Sequence, residues 1–186
     1  MTAIVALDVD GVLAPDPDAV RGGTEALAGR GYESHQYEGP GPDGQHATVT
    51  VWLNHRHGVW LKALMQAGAE LVWATSWGEL ANTWIGPRLD LPVLPVIEFP
   101  NQAPGFGWSP KVGPLRRYAG DRPLAWLEDT LGGREPGWAQ DRSHHDGIPT
   151  LVVRVDPGLG LQLAHIDQVL TWFDRDVAGH QAQSAH

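Results

Sequence analysis

Residues 3–13 read Ala-Ile-Val-Ala-Leu-Asp-Val-Asp-Gly-Val-Leu. The unbroken apolar run at the start predicts a strand covered on both faces, as in a parallel sheet. The strand is expected to end at Asp8, and Gly11 lets the backbone turn just beyond it. Asp8 and Asp10 then lie together at the carboxyl end of a buried strand, where open α/β sheets bind their ligands. Such a pair suits Mg²⁺, although an isolated Asp-x-Asp is more often a solvated turn.

Composition narrows the class of protein. The chain has 186 residues, of which 42% are hydrophobic and 19% charged, so we expect one globular domain over 1–186, with a frayed tail at 178–186. No stretch approaches the length of a membrane span, the start lacks the pattern of a signal peptide, and there are no cysteines. These features favour a cytoplasmic protein without a membrane partner. The net charge of −9 argues against general nucleic-acid binding.

Apolar strands alternate with amphipathic helices along the chain, which predicts an α/β fold with a parallel sheet between two helical layers, a three-layer Rossmann-like arrangement. The helix at 55–67 should begin with Asn54 as its cap, face inward through Val59, Leu61, Leu64 and Met65, and stop at Gly68. The predicted core strands are 3–8, 70–74, 123–127 and 150–155, and the other predicted helices are 79–85 (closed by Gly86 and Pro87), 111–118, 134–145 and 165–176. We expect 92–99 to be an edge strand or irregular and 100–109 to be a loop.

A turn-rich insertion over about 14–54 separates the first strand from the first long helix. A short helical turn is expected near 24–28, followed by strands at 32–37 and 47–53 around a linker rich in Gly and Pro at 38–44. The sequence therefore predicts a small β-hairpin that projects from the main body as a cap.

Polar side chains follow several of the predicted strands at their carboxyl ends. Besides Asp8 and Asp10, the predicted edge gathers Thr75 and Ser76, Glu128 and Asp129, and Lys111 at the start of a helix. The carboxylates can hold Mg²⁺, while Lys111 and the Thr75 hydroxyl can orient a phosphoryl group. Asp8 can attack phosphorus, and Asp10 can protonate the leaving oxygen and later deprotonate water.

Four segments resemble, in chain order, the motifs of the haloacid dehalogenase superfamily of phosphohydrolases: residues 8–13, Thr75, Lys111, and Glu128 with Asp129. The resemblance implies a Mg²⁺-dependent phosphatase that acts through an aspartyl phosphate, with Asp8 as nucleophile and Asp10 as acid/base. It also implies that Thr75 and Lys111 bind phosphate, and that Asp8, Asp10, Glu128 and Asp129 surround the metal. Ser76, beside Thr75, either contacts the phosphate as well or caps the following helix. Glu128 stands where a paired Asp is more usual, so either acid could be the inner ligand, and we favour Asp129.

Other readings of the same residues stay open. A phosphotransferase or phosphomutase of this superfamily uses the same intermediate, and a binding protein could retain the fold without activity. A phospho-accepting receiver domain is disfavoured because the acidic pair here follows the first strand. The small cap predicts an open site for a phosphorylated substrate such as a nucleotide or another bulky phosphate ester. The segment His55-Arg56-His57 is more typical of a solvated helix end than of a metal site.

Overall fold

The computed structural model describes residues 2–40, 45–99 and 108–178, and it has an α/β architecture. A four-stranded parallel sheet has the order β4-β1-β5-β6, formed by β1 (Ile4–Leu7), β4 (Glu70–Trp73), β5 (Leu124–Glu128) and β6 (Thr150–Arg154). A separate antiparallel pair consists of β2 (Glu33–Pro40) and β3 (His46–Leu53). The helices are α1 (Gly23–Gly29), α2 (His55–Gln66), α3 (Gly86–Arg88), α4 (Val112–Ala119), α5 (Glu135–His144) and α6 (Leu163–Trp172). Two π-helical segments, Ala81–Ile85 and Phe173–Val177, precede α3 and follow α6.

The central strand β1 is buried on both faces, as its apolar run predicts. Val5 and Leu7 belong to one hydrophobic cluster, which includes side chains of α2 and α6. Ile4 and Ala6 belong to a second cluster, which includes side chains of α4. Alternate side chains of a strand point to opposite faces, so helices cover the sheet on both sides and its carboxyl edge is left for polar groups.

The predicted hairpin is confirmed and lies between β1 and α2 in the chain. Its eight paired positions run from Glu33 opposite Leu53 to Pro40 opposite His46. Tyr37 and Val51 are buried in the same cluster as β1, so the hairpin packs on the main body. The prediction of a linker at 38–44 is wrong for residues 38–40, which belong to β2. Residues 41–44 of that linker, most of the predicted loop at 100–109 and the tail from residue 179 lie outside the described residues.

Helix α2 begins as predicted, but the prediction for its inner face is partly wrong. The Asn54 side chain accepts a hydrogen bond from the Arg56 amide at 3.0 Å, and the helix ends just before Gly68, which has a φ of 97°. Val59 is 64% exposed, and His57 and Gly58 are buried instead. Gly58 packs so closely on the Leu89 carbonyl that a Cβ there would overlap it, so this face of the helix, and not Val59, lies against the protein.

The predicted end of the helix near residue 85 is also wrong. Gly86 has helical torsion angles, and Pro87 lies in the first turn of α3, where its missing amide proton costs little. The chain turns instead at Asp90, which has a φ of 54°. The segment at 92–99 is irregular apart from one bridge between Val96 and Trp73, as its prolines suggest. Among the described residues, none of the helices has the length and apolar character to cross a membrane.

Candidate functional site

The carboxyl ends of three neighbouring strands bring the predicted site residues to one edge of the sheet. Asp8 directly follows β1, Glu128 is the last residue of β5, and Thr75 lies two positions beyond β4. The Ala74 amide donates to the Leu7 carbonyl at 2.7 Å, which fixes the end of β4 beside Asp8. The parallel register therefore places residues that are distant in sequence next to each other.

Three carboxylates form a compact acidic cluster at this edge. One ligand oxygen from each of Asp8, Glu128 and Asp129 lies within 4.8 Å of the others. Asp8 and Glu128 are buried, and Asp129 is half-buried. The Asp8 carboxylate also accepts a hydrogen bond from the Val9 amide at 2.8 Å, which fixes its orientation. Three of the four acids predicted from the sequence therefore meet here. The fourth, Asp10, accepts a hydrogen bond from Trp77 instead.

Lys111 lies between two of these acids. It caps α4, and its Nζ donates to Asp8 Oδ2 at 2.6 Å and to Glu128 Oε2 at 2.7 Å. Burial alone would lower the pKa of Lys111, but the charges of Asp8 and Glu128 outweigh that effect and its pKa is raised. Lys111 is therefore held as a cation between two buried acids.

Glu128 is the member of the cluster whose negative charge is least favourable. Burial and then the neighbouring charge of Asp8 raise the pKa of Glu128 to about 8, even though Lys111 acts in the opposite direction. A carboxyl group with such a pKa lies in a place where further positive charge is favourable. The set of oxygen donors, their burial and the unfavourable ionisation of Glu128 without a further cation all fit a divalent cation such as Mg²⁺.

Asp10 lies on the solvent side of the cluster. Its Oδ1 accepts a hydrogen bond from the Trp77 indole at 3.0 Å. Asp10 is exposed, yet its carboxylate lies in a concave part of the surface, and the surrounding protein raises its pKa; Trp77 opposes the shift, and Asp8 adds to it. A carboxyl group with a raised pKa can hold a proton closer to neutral pH than an ordinary aspartate.

Gly11 allows the close packing of the turn after Asp8. It has a φ of 71°, its amide donates to the Ala14 carbonyl at 2.8 Å, and a Cβ at this position would overlap the Asp129 carboxylate. The glycine therefore provides both the left-handed backbone conformation and the space that Asp129 occupies. The sequence predicted the turn, but it gave no sign of the contact with Asp129.

Thr75 and Ser76 lie where the sequence predicted, in different environments. Thr75 is buried, and its hydroxyl oxygen accepts a hydrogen bond from the Trp77 amide at 3.4 Å. Ser76 is exposed. Both residues lie at the end of the strand next to β1, on the edge that carries Asp8.

Glu135 is a site residue that the sequence analysis missed. It is fully buried, and its carboxylate accepts hydrogen bonds from the Ser109 amide and, at 3.0 Å, from the Gly133 amide. The Ser109 hydroxyl in turn accepts from the Lys111 amide at 3.3 Å. Glu135 thus joins the segment before Lys111 to the segment after Asp129. A lone Glu at the start of a polar helix carries no signal for this role.

The two histidines at the start of α2 have different environments. His55 is exposed, 3.8 Å from Glu33. His57 is 1% exposed, lies 3.4 Å from the Tyr32 hydroxyl and stacks obliquely on Trp60. Burial lowers the pKa of His57 to about 4, against smaller opposing contributions from the Leu161 and Leu13 backbone. His57 is therefore a neutral core side chain.

A cavity of about 530 Å³ opens beside Asp10 and Asp129, between the hairpin and the sheet edge. Its walls include Trp77 after β4 and Tyr37 and Val49 on the hairpin. Tyr37 and Trp77 meet edge to face, with ring centroids 5.3 Å apart. The predicted cap therefore forms one wall of a space that is continuous with the acidic cluster.

Comparisons with known proteins add little to this description. No family model matches the chain, and no curated protein matches it. A hypothetical protein from Xanthomonas campestris, known from its crystal structure, is similar with a TM-score of 0.44 and 18% identity, over 98% of this chain and 88% of that one.

Proposed function

We propose that the protein is a Mg²⁺-dependent phosphatase of the haloacid dehalogenase type, with a Rossmann-like core, that hydrolyses phosphate monoesters through an aspartyl phosphate. The observation that carries the proposal is the contact of Lys111 with Asp8 and Glu128, in a cluster that Asp129 completes. The resemblance of the four sequence motifs requires these residues to meet, although they come from three distant parts of the chain. A site that only holds a metal does not need a lysine among its carboxylates, whereas a site that binds a phosphoryl group does benefit from one.

Asp8 is the nucleophile in this proposal. One of its carboxylate oxygens attacks phosphorus, and the bond from phosphorus to the ester oxygen breaks. Asp10 gives its proton to that oxygen, so the alcohol leaves neutral. Asp10 then takes a proton from water, the water oxygen attacks phosphorus, and the bond to Asp8 breaks with release of phosphate. The raised pKa of Asp10 favours the protonated form that the first step needs, and the hydrogen bond from the Trp77 indole favours the carboxylate form that the second step needs.

The remaining residues bind and orient the phosphoryl group. Lys111 supplies a positive charge beside Asp8, and the Thr75 hydroxyl, with Ser76 beside it, supplies hydrogen bonds at the neighbouring strand end. Asp8, Glu128 and Asp129, with the backbone near Asp10, would hold Mg²⁺. When bound, Mg²⁺ would neutralise charge on the phosphoryl oxygens and on the cluster.

The test is hydrolysis of p-nitrophenyl phosphate with and without Mg²⁺ by the wild type and by Asp8→Asn. We expect activity that depends on Mg²⁺ in the wild type and its loss in Asp8→Asn, with the fold preserved by circular dichroism. Asp18→Asn is the matched control, because Asp18 is exposed in the loop before α1, and it should keep wild-type activity. Equal turnover by Asp8→Asn would rule out Asp8 as nucleophile. Transfer of phosphate to an added alcohol instead of water would indicate a phosphotransferase.

A further inference from the structure

The cavity between the hairpin and the sheet edge has a lining that bears on the substrate. It adjoins the acidic cluster, since Asp10, Gly11 and Asp129 form part of its wall. A phosphate ester bound beside Asp8 would have its alcohol portion on this side, because Asp10 is the residue proposed to protonate the leaving oxygen. The chemical character of the cavity lining therefore indicates which kind of alcohol the phosphate is attached to.

Away from the acids, the lining is apolar. Alanine, proline, valine, leucine, tyrosine and tryptophan side chains supply most of it. Thr50 also borders the cavity, but it alternates with Val49 and Val51 along β3, so its hydroxyl lies on the other face of the hairpin, where it accepts a hydrogen bond from Gln36 at 3.0 Å. A polyhydroxylated sugar would lose water on entering and would find few polar groups in exchange.

The charge of the lining is negative. Its charged members among the described residues are Asp10, Asp16 and Asp129, without any lysine or arginine. A chain with several phosphates would bring further negative charge to these carboxylates without a cation to receive it.

The aromatic side chains form a fixed wall. Trp77 stacks on Trp84 with ring centroids 5.7 Å apart, Tyr37 packs against both rings, and the Trp77 indole is held by Asp10. Aromatic walls favour flat aromatic partners through stacked or edge-to-face contact. The cavity volume is in the range that holds one small ligand.

We infer that the substrate is a phosphate monoester of an alcohol that carries one uncharged aromatic ring system, as in an aryl phosphate or a nucleoside monophosphate. This inference rests on the proposed phosphatase activity. The ring lies against the wall formed by Tyr37, Trp77 and Val49, and the phosphate lies at Asp8.

The test compares kcat/KM for four probes: acetyl phosphate, adenosine 5′-monophosphate, glucose 6-phosphate and a 5′-phosphorylated oligothymidylate. Acetyl phosphate has no group large enough to fill the cavity and reports on the phosphoryl site. We expect adenosine 5′-monophosphate to be preferred over glucose 6-phosphate and over the oligonucleotide. If the protein hydrolyses none of the four probes, the proposed phosphatase activity itself is refuted. If it hydrolyses acetyl phosphate but does not prefer adenosine 5′-monophosphate, only the inference about the substrate is refuted.

Two substitutions in β3 locate the effect. Val49 lines the cavity and is 41% exposed, and the adjacent Thr48 points to the other side of the hairpin. Val49→Lys should lower the ratio of kcat/KM for adenosine 5′-monophosphate to that for acetyl phosphate by about 10-fold, because a charge replaces an apolar contact. The control Thr48→Lys adds the same charge and should leave the ratio as it is. A ratio in Val49→Lys equal to that of the wild type would overturn the inference.

Discussion

Replacement of Lys111 by Met removes the cation from the acidic cluster while it keeps a side chain of similar length. In the folded protein, Lys111 is 16% exposed, and its two partners, Asp8 and Glu128, are 8% and 2% exposed. Removing one member of a buried ion pair costs about 3–5 kcal/mol, because the remaining charges stay buried without a partner. The loss here should lie near the lower limit, because burial and the charge of Asp8 raise the pKa of Glu128 to about 8, and a protonated Glu128 leaves no unpaired charge when Lys111 is removed.

We therefore expect Lys111→Met to lower the free energy of unfolding by about 3 kcal/mol at pH 7 in the presence of EDTA. For a domain of this size, such a loss corresponds to a decrease in Tm of roughly 6–12 °C. Urea titration followed by tryptophan fluorescence measures it. The control is Lys62→Met, which removes the ion pair of Lys62 with exposed Asp90 and should cost less than about 1 kcal/mol. A loss below about 1 kcal/mol for Lys111→Met as well would show that Lys111 does not pair with the buried acids.

Three further predictions concern residues around the site. The pKa of His57 is about 4 in the folded protein and has its ordinary value of 6.5 in the unfolded chain, so the unfolded chain binds more protons below pH 6.5. Lowering the pH from 8 to 5 should therefore decrease the free energy of unfolding by about 2 kcal/mol through His57. Urea titrations of His57→Phe over the same pH range should lack this decrease. Gly58→Ala should destabilise the fold by about 1–3 kcal/mol or more, measured by thermal unfolding, because the new Cβ overlaps the Leu89 carbonyl. Glu135→Gln should reduce kcat for p-nitrophenyl phosphate more than it raises KM, because the weakened acceptor for the Ser109 amide lets Lys111 shift; an unchanged kcat would show that Glu135 does not position Lys111.

The sequence predicted the strands and the gathering of acids because both follow from local patterns. The apolar runs before Asp8 and Glu128 read as buried strands, and the turn-rich stretch between two alternating segments reads as a hairpin. The carboxyl ends of parallel strands meet at one edge, so the order of the strands was enough to place these acids together.

What the sequence could not predict depends on contacts between distant segments. Val59 is apolar but faces solvent, while the adjacent Gly58 packs on the Leu89 carbonyl, a contact that the sequence pattern does not show. The hydrogen bond from Trp77 to Asp10 could have been suspected, because Trp77 closely follows Thr75 at the same edge. Glu135 offered no comparable signal, since its role depends on the path of two loops.

The most direct measurement identifies the phosphorylated residue. The wild-type protein would be mixed with Mg²⁺ and acetyl phosphate, quenched in acid within milliseconds, digested and analysed by mass spectrometry. The account predicts one phosphoryl group on the peptide that contains Asp8, sensitive to hydroxylamine and missing from Asp8→Asn. Turnover with the phosphoryl group on another residue, or turnover by Asp8→Asn at the wild-type rate, would contradict it.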